Sequence, residues 1–193
     1  MGELLEAYHG RIYHVCLRMV SNADDAAELT QDAMVRVVES LDKFRGEAHL
    51  STWMIRIAMN LSISHLRKRK LRRAASLEAG PDNGETDAPT SLRMTLADDR
   101  EPSPDRRVEE DEMLGHLKSA IAELDDEFRA VLVLRDIEQM DYRQIADVLE
   151  VNLGTVKSRL FRARLALREK MAPYDPENQH ARSVNDDRQV NDG

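Results

Sequence analysis

Apolar residues recur at helical spacing along most of the chain. Leu29, Ala33, Val37 and Leu41 fall four residues apart, and no proline occurs before Pro81. Residues 1–73 therefore read as helix throughout, interrupted twice. Ser21-Asn22-Ala23-Asp24-Asp25 looks like a helix start. Ser21 or Asn22 can cap it, and two aspartates in the first turn suit the positive end of the helix dipole. Phe44-Arg45-Gly46-Glu47 breaks the pattern with Gly46 as the expected turn, and Ser51 or Thr52 can cap the helix that follows. Residues 74–108 hold four of the six prolines, two glycines and few large apolar side chains. Such a segment cannot bury a core and is expected to be a flexible linker. Periodicity then returns over 109–171 until Pro173 and Pro176 stop it, and 172–193 is expected to be a disordered polar tail. The expectation is an all-α protein of two small helical modules on a linker.

Composition narrows the class. With 193 residues, 41% hydrophobic and 33% charged, the chain suits one ordinary domain or two small ones. No apolar run approaches the roughly 20 residues that span a bilayer, so no membrane insertion is expected. The start, MGELLEAYHGR, has no cationic segment followed by an apolar one, so no signal peptide is expected. A single cysteine, Cys16, excludes an intramolecular disulfide, and the reading is a cytoplasmic protein. Aromatics are only 4%, so the cores must be aliphatic.

The net charge of -8 argues against nucleic-acid contact, but its distribution reverses that argument. Arg67-Lys68-Arg69-Lys70-Leu71-Arg72-Arg73 is almost wholly basic, and so is one face of 157–170. Acidic residues gather elsewhere, as in Glu109-Glu110-Asp111-Glu112 and Glu123-Leu124-Asp125-Asp126-Glu127. A phosphate backbone responds to the nearby field more than to the total charge.

The second module reads as a helix-turn-helix. Tyr142–Glu150 is a short amphipathic helix with Ile145, Ala146 and Leu149 inward, and the small Ala146 lets a second helix cross closely. Val151-Asn152-Leu153-Gly154 connects it to a helix running Thr155 to Arg168, which Asn152 can cap. Val156, Leu160, Ala163 and Leu167 form its buried stripe. Thr155, Lys157, Ser158, Arg159, Phe161, Arg162 and Arg164 occupy the other faces. A cationic second helix with polar residues at its N-terminal end suits a major groove. Arg and Lys match guanine edges, Ser158 serves either base type, and later arginines hold phosphates. A charge run on a helix is ordinarily a solvated face. The paired helices, the small crossing residue and basic excess on the second helix alone favour DNA.

These residues carry a resemblance. Glu28-Leu-Thr-Gln-Asp-Ala-Met-Val-Arg-Val-Val-Glu-Ser-Leu-Asp-Lys-Phe-Arg-Gly46, then Ser51-Thr-Trp-Met-Ile-Arg-Ile-Ala-Met-Asn60 and the basic run, resembles region 2 of a sigma factor. Asp141-Tyr-Arg-Gln-Ile-Ala with Leu153-Gly-Thr-Val-Lys-Ser-Arg-Leu-Phe-Arg-Ala-Arg164 resembles region 4. Order and spacing agree, and the two cover nearly all of the chain outside linker and tail. The missing module between them resembles the extracytoplasmic-function group of the sigma-70 family.

The resemblance implies a factor that binds core RNA polymerase, directs it to promoter DNA and catalyses nothing itself. Glu28, Gln31 and Asp32, flanked by Val35 and Glu39, would dock on the polymerase clamp helices. Asn60 and Trp53 would serve the capture of a flipped downstream base, whose unstacking costs a few kcal/mol. Arg56, Arg67, Lys68, Arg69 and Lys70 would hold phosphates. Thr155, Lys157, Ser158, Arg159, Phe161, Arg162 and Arg164 would read the upstream element as duplex. Phe128, Leu132 and Leu134 lie where the family grips the polymerase flap, although a core role accounts for most of them. An anti-sigma factor is an expected partner.

Enzyme readings find no footing. His9, His14, His49, His65, His116 and His180 are scattered with no metal-site spacing, Cys16 has no visible base, and no Gly-rich phosphate loop occurs. No metal, cofactor or catalytic residue is expected. A polymerase-independent helix-turn-helix regulator is the alternative, but it has no use for the second basic site after Asn60. A protein-only adaptor leaves the cationic helix unexplained.

Overall fold

The computed structural model describes residues 2–44, 46, 49–79 and 104–174, with the side chains of 2–4, 77–79 and 104–111 outside that description. The described residues contain helices and turns but no strand.

Three helices make the first module: α1 (Gly2–Val20), α2 (Ala23–Ser40) and α3 (Leu50–Ala79). Each packs against the other two. Asn22 is the residue that caps α2, its side-chain oxygen accepting from the Asp25 N–H at 2.9 Å. Ala26, Leu29, Ala33 and Val37 are buried as their spacing predicts, and Leu41, half-buried, opens a short 3-10 turn over Leu41–Lys43. Gly46 has φ +73°, the left-handed backbone that favours glycine. The following helix begins at Leu50, so Ser51 and Thr52 lie inside its first turn instead of capping it. Thr52 is buried there. Ile12, Val15, Met19, Met54, Ile55 and Met59 fill the centre, an aliphatic core as the low aromatic content requires.

The second module holds α4 (Pro104–Ala122), α5 (Asp126–Leu132), a π turn (Val133–Ile137), α6 (Tyr142–Leu149), α7 (Leu153–Met171) and a 3-10 turn (Ala172–Tyr174). Its core includes Ala130–Leu134, Met140, Ile145, Val148, Val156, Leu160 and Ala163. Leu132 and Leu134 are thus core residues and Phe128 is half-buried against them. His116 of α4 stacks on Tyr174 with ring centroids 3.6 Å apart, joining the two ends of the module.

Helix extends into both ends of the segment expected to be linker. α3 continues through 74–79, where Ala74, Ala75 and Ala79 are strong helix formers. α4 begins at Pro104, and proline suits a first helical position because its missing N–H has no helical partner there. Residues 80–103 lie outside the described residues, as does the expected tail beyond Tyr174.

The modules also touch. α3 packs against α5 and α6, and α1 meets α4, α5 and the π turn.

Candidate nucleic-acid and partner interfaces

The helix-turn-helix is set by its caps. Asp141 accepts from the N–H groups of Arg143 (2.8 Å) and Gln144 (2.9 Å), while Gln144 accepts from the Asp141 N–H at 2.9 Å. This reciprocal box fixes the start of α6. Ile145 and Val148 are its fully buried residues, while Ala146 and Leu149 are half-buried. Val148 was missing from the inward set expected from the sequence. Glu150 ends the helix in the left-handed conformation (φ 54°), and Asn152 caps α7 by accepting from the N–H (2.7 Å) and hydroxyl (2.9 Å) of Thr155. The cap starts α7 at Leu153, two residues before the expected Thr155. Val156, Leu160 and Ala163 are buried and Leu167 is half-buried, close to the predicted stripe.

The outward residues of α7 differ in freedom. Lys157, Ser158, Phe161 and Arg162 are exposed, Phe161 by 70%. Lys157 and Arg162 make no ion pair among the described residues. Ser158 donates to the Thr155 carbonyl at 3.0 Å. Arg159 instead pairs with Glu127 at 2.6 Å, and Arg164 pairs with Asp136 through two nitrogens, at 2.5 and 3.2 Å. That hydrogen bond pushes the Arg164 pKa above its ordinary value.

On α3, Trp53, Arg56, Asn60 and Arg67 lie within about 60° of one another at 100° per residue. Trp53 is half-buried and packs on Phe44, with ring centroids 5.2 Å apart. Asn60, Arg67 and Lys68 are exposed. Arg69 lies on another face, where it pairs with Asp25 at 3.6 Å beside His65. Arg56 and Lys70 reach across to the second module, Arg56 to Glu150 at 2.5 Å and Lys70 to Asp126 at 2.8 Å.

On α2, Glu28, Gln31, Asp32, Val35 and Glu39 share one exposed face. Val35 is 51% exposed and Val38, beside it, 46%. With Leu5, Met34 and Glu39 these two valines line a shallow groove. An apolar groove of this kind, with the Glu39 carboxylate at its edge, is the sort of surface that suits a protein partner.

The family described as Sigma-70 region 2 matches residues 4–72, and Sigma-70, region 4 matches 114–167. The extracytoplasmic-function RNA polymerase sigma factor SigW of Bacillus subtilis is 31% identical over 170 residues, 88% of each chain. The chain belongs to the extracytoplasmic-function sigma factors. The RNA polymerase sigma-H factor of Pseudomonas aeruginosa is 32% identical, over 88% of this chain and 85% of that one. Among solved structures, the sigma factor RpoE of Bartonella quintana, in complex with the anti-sigma factor NepR, shares the fold with a TM-score of 0.66. That likeness covers 88% of this chain and 95% of that one at 23% identity. CnrH, in complex with the cytosolic domain of CnrY, superposes with a TM-score of 0.58 over 90% of this chain and 88% of that one, also at 23% identity.

In this sigma factor, sequence reasoning passed over the residues that join regions 2 and 4. Arg129, 6% exposed, donates to the carbonyls of Ile121 (3.1 Å) and Leu124 (2.9 Å), and also to those of Ala122 and Met19. Met19 belongs to region 2. Burial lowers the Arg129 pKa, and Asp126 opposes the shift. Glu138, beyond the π turn, takes Arg11 at 2.7 Å and Arg18 at 3.7 Å from α1. Burial lowers the Arg18 pKa, and Glu138 opposes that too. Cys16 is fully buried, and desolvation raises its pKa, leaving a poor nucleophile. Among the described residues no group of His, Cys, Asp and Glu could hold a metal ion, and no helix is long and apolar enough to cross a membrane.

Proposed function

We propose that this sigma factor docks on core RNA polymerase through the α2 face of Glu28, Gln31, Asp32, Val35 and Glu39. Region 4 then reads the upstream promoter element as duplex, and region 2 captures unpaired bases of the downstream element in the cytoplasm. The observation that carries the upstream assignment is the pair of cations, Lys157 and Arg162, exposed and without an ion pair among the described residues, on the outer face of a capped second helix. Ser158 and Phe161 lie between them on the helix surface, and Thr155, Arg159 and Arg164 flank them. Phosphate contacts position such a helix and base-edge contacts specify the sequence. For the downstream element, Asn60 offers a donor and an acceptor to a base edge, and Trp53 with Phe44 forms an aromatic wall beside it. Arg56, Arg67, Lys68, Arg69 and Lys70 supply the backbone charge. An anti-sigma factor is the proposed regulator, on the analogy of the structural neighbour RpoE, solved with the anti-sigma factor NepR.

The test is retention of core polymerase by the purified chain, beside a Gln31→Ala/Asp32→Ala variant. Retention lost in the variant supports the docking face. A Lys157→Ala/Arg162→Ala factor should still hold core yet fail to select promoters from random-sequence templates. Its holoenzyme should lose about one unit of salt slope per phosphate contact removed. Failure of the wild-type chain to hold core, with tight duplex binding by itself, would overturn the proposal in favour of an independent regulator.

A further inference from the structure

The basic run from Arg67 to Arg73 is nearly continuous in the sequence, yet the fold divides it between two sides of α3. At 100° per residue, Arg69, Lys70 and Arg73 fall on one side. Arg69 pairs with Asp25 of α2, Lys70 pairs with Asp126 of α5, and Arg73 lines the corner where α3 meets Leu124 and Asp126. Arg67, Lys68 and Arg72 fall on the other side, within about 140° of arc. All three are exposed, and none makes an ion pair among the described residues. Leu71 lies between them and is 65% exposed. Asn60 and Trp53 share this open side, but Leu71 and Arg72 have no part in the mechanism above.

A solvated basic face ordinarily interleaves carboxylates, which relieve the repulsion between like charges one turn apart. This one has none. α3 holds no Asp or Glu before Glu78, and Lys68 and Arg72 stand at i, i+4 on its open side. Leu66 is the last buried side chain of the helix, so nothing from the core lies behind these residues. The missing negative charge has to come from a partner. We propose that the open side of α3 is a rail for duplex DNA. Arg67, Lys68 and Arg72 hold phosphates on the upstream side of the base taken at Asn60, and Leu71 packs on the deoxyribose between them. The inference rests on the downstream role given to Asn60 above.

The direction follows from the two ends of the helix. One end carries the Trp53–Phe44 wall, where a base leaves the stack and the strand is single. From the other end the chain leaves for region 4, which reads the upstream element, and Lys70 already touches that region. Paired DNA therefore lies at the Arg72 end. Asn60 and Arg72 are twelve residues apart, about 18 Å along the axis. At 3.4 Å per step this spans roughly five base pairs. Duplex also offers one charge per roughly 1.7 Å, twice the density of a single strand, to the three free cations. Phosphate contacts fix register and carry no sequence information. The rail thus strengthens binding to every promoter alike and leaves the sequence preference to Asn60 and α7.

The experiment has two arms. The first measures binding of a mixed-sequence duplex 20-mer across a salt series, using the full chain with Lys157→Ala/Arg162→Ala to silence α7. Adding Arg72→Gln should remove about one unit of salt slope, and Arg72→Lys should restore it, which separates charge from structure. Leu71→Glu, at an exposed position, should weaken binding further than Arg72→Gln does. An unchanged slope in Arg72→Gln would overturn the rail. The second arm places an iron chelate at Ala75→Cys in a Cys16→Ala background, bound to core polymerase on a promoter selected from random-sequence templates. Cleavage should fall in paired DNA, roughly five base pairs upstream of the permanganate-reactive thymines. Cleavage inside the reactive stretch, or none, would also overturn it. Chains that hold core and open promoters with an unchanged slope leave the sigma reading standing without the rail. Chains that never hold core, yet lose slope in Arg72→Gln, keep the duplex contact without the sigma reading.

Discussion

Arg129 shows how much one side chain can hold. A buried guanidinium has five N–H donors and stays protonated, so it needs acceptors on every side. Four carbonyls and, at 4.0 Å, the Asp126 carboxylate provide them. Removing the donor strands the carbonyls away from water. Arg129→Met should therefore cost on the order of 3 kcal/mol, read as a lower midpoint in thermal unfolding followed by circular dichroism. An unchanged midpoint would mean that water replaces the guanidinium without loss. Nothing in the sequence marks this arginine. It sits beside an acidic run and looks like one more surface charge, because one of its partners is a backbone atom 110 residues away. Asn60 is the opposite case. A polar residue of low helix propensity in the middle of a helix already signals a use outside the core, and it is exposed.

Helix ends were the most legible elements where capping side chains exist. Asn22 and Asn152 each accept the expected backbone hydrogen bond, and Asp141, not named as a cap from the sequence, does the same. Asn152→Ala should destabilise the second module by about 1 kcal/mol, measured by denaturant unfolding, and should fray the end of α7 that presents Lys157 and Ser158. Unchanged amide exchange at Thr155 and Val156 in that variant would count against the cap. Ends without such a cap were less legible. α3 starts at Leu50 and runs on to Ala79, and α4 reaches back to Pro104, since alanine-rich or proline-led sequence supports helix by its own propensity. In α6 the short length left the inward face uncertain by one position, and Val148 is buried where Leu149 was expected to be.

In the molecule as a whole, regions 2 and 4 share an apolar cluster that is continuous from α1 to α7. Trp53, the only tryptophan, reports on region 2 alone, whereas far-ultraviolet circular dichroism reports on both regions. If the regions are packed together, the two signals should trace one coincident urea transition at low salt, and should separate in Glu138→Gln/Glu150→Asn. Separate transitions in the parent would show two independent modules.

The amino-acid order carries everything that depends on neighbours a few residues apart: helix spacing, caps, the turn between α6 and α7, and the cationic outer face of the second helix. It also carries the pattern that places the chain among the sigma factors. Which cations remain free was decided by the tertiary structure. Lys157 and Arg162 are available, while Arg56, Lys70, Arg159 and Arg164 are held by carboxylates from other elements. Charge in a sequence has a sign but no partner. Pairing depends on distances of a few ångströms between residues as far as 127 positions apart, and only the packed fold supplies them.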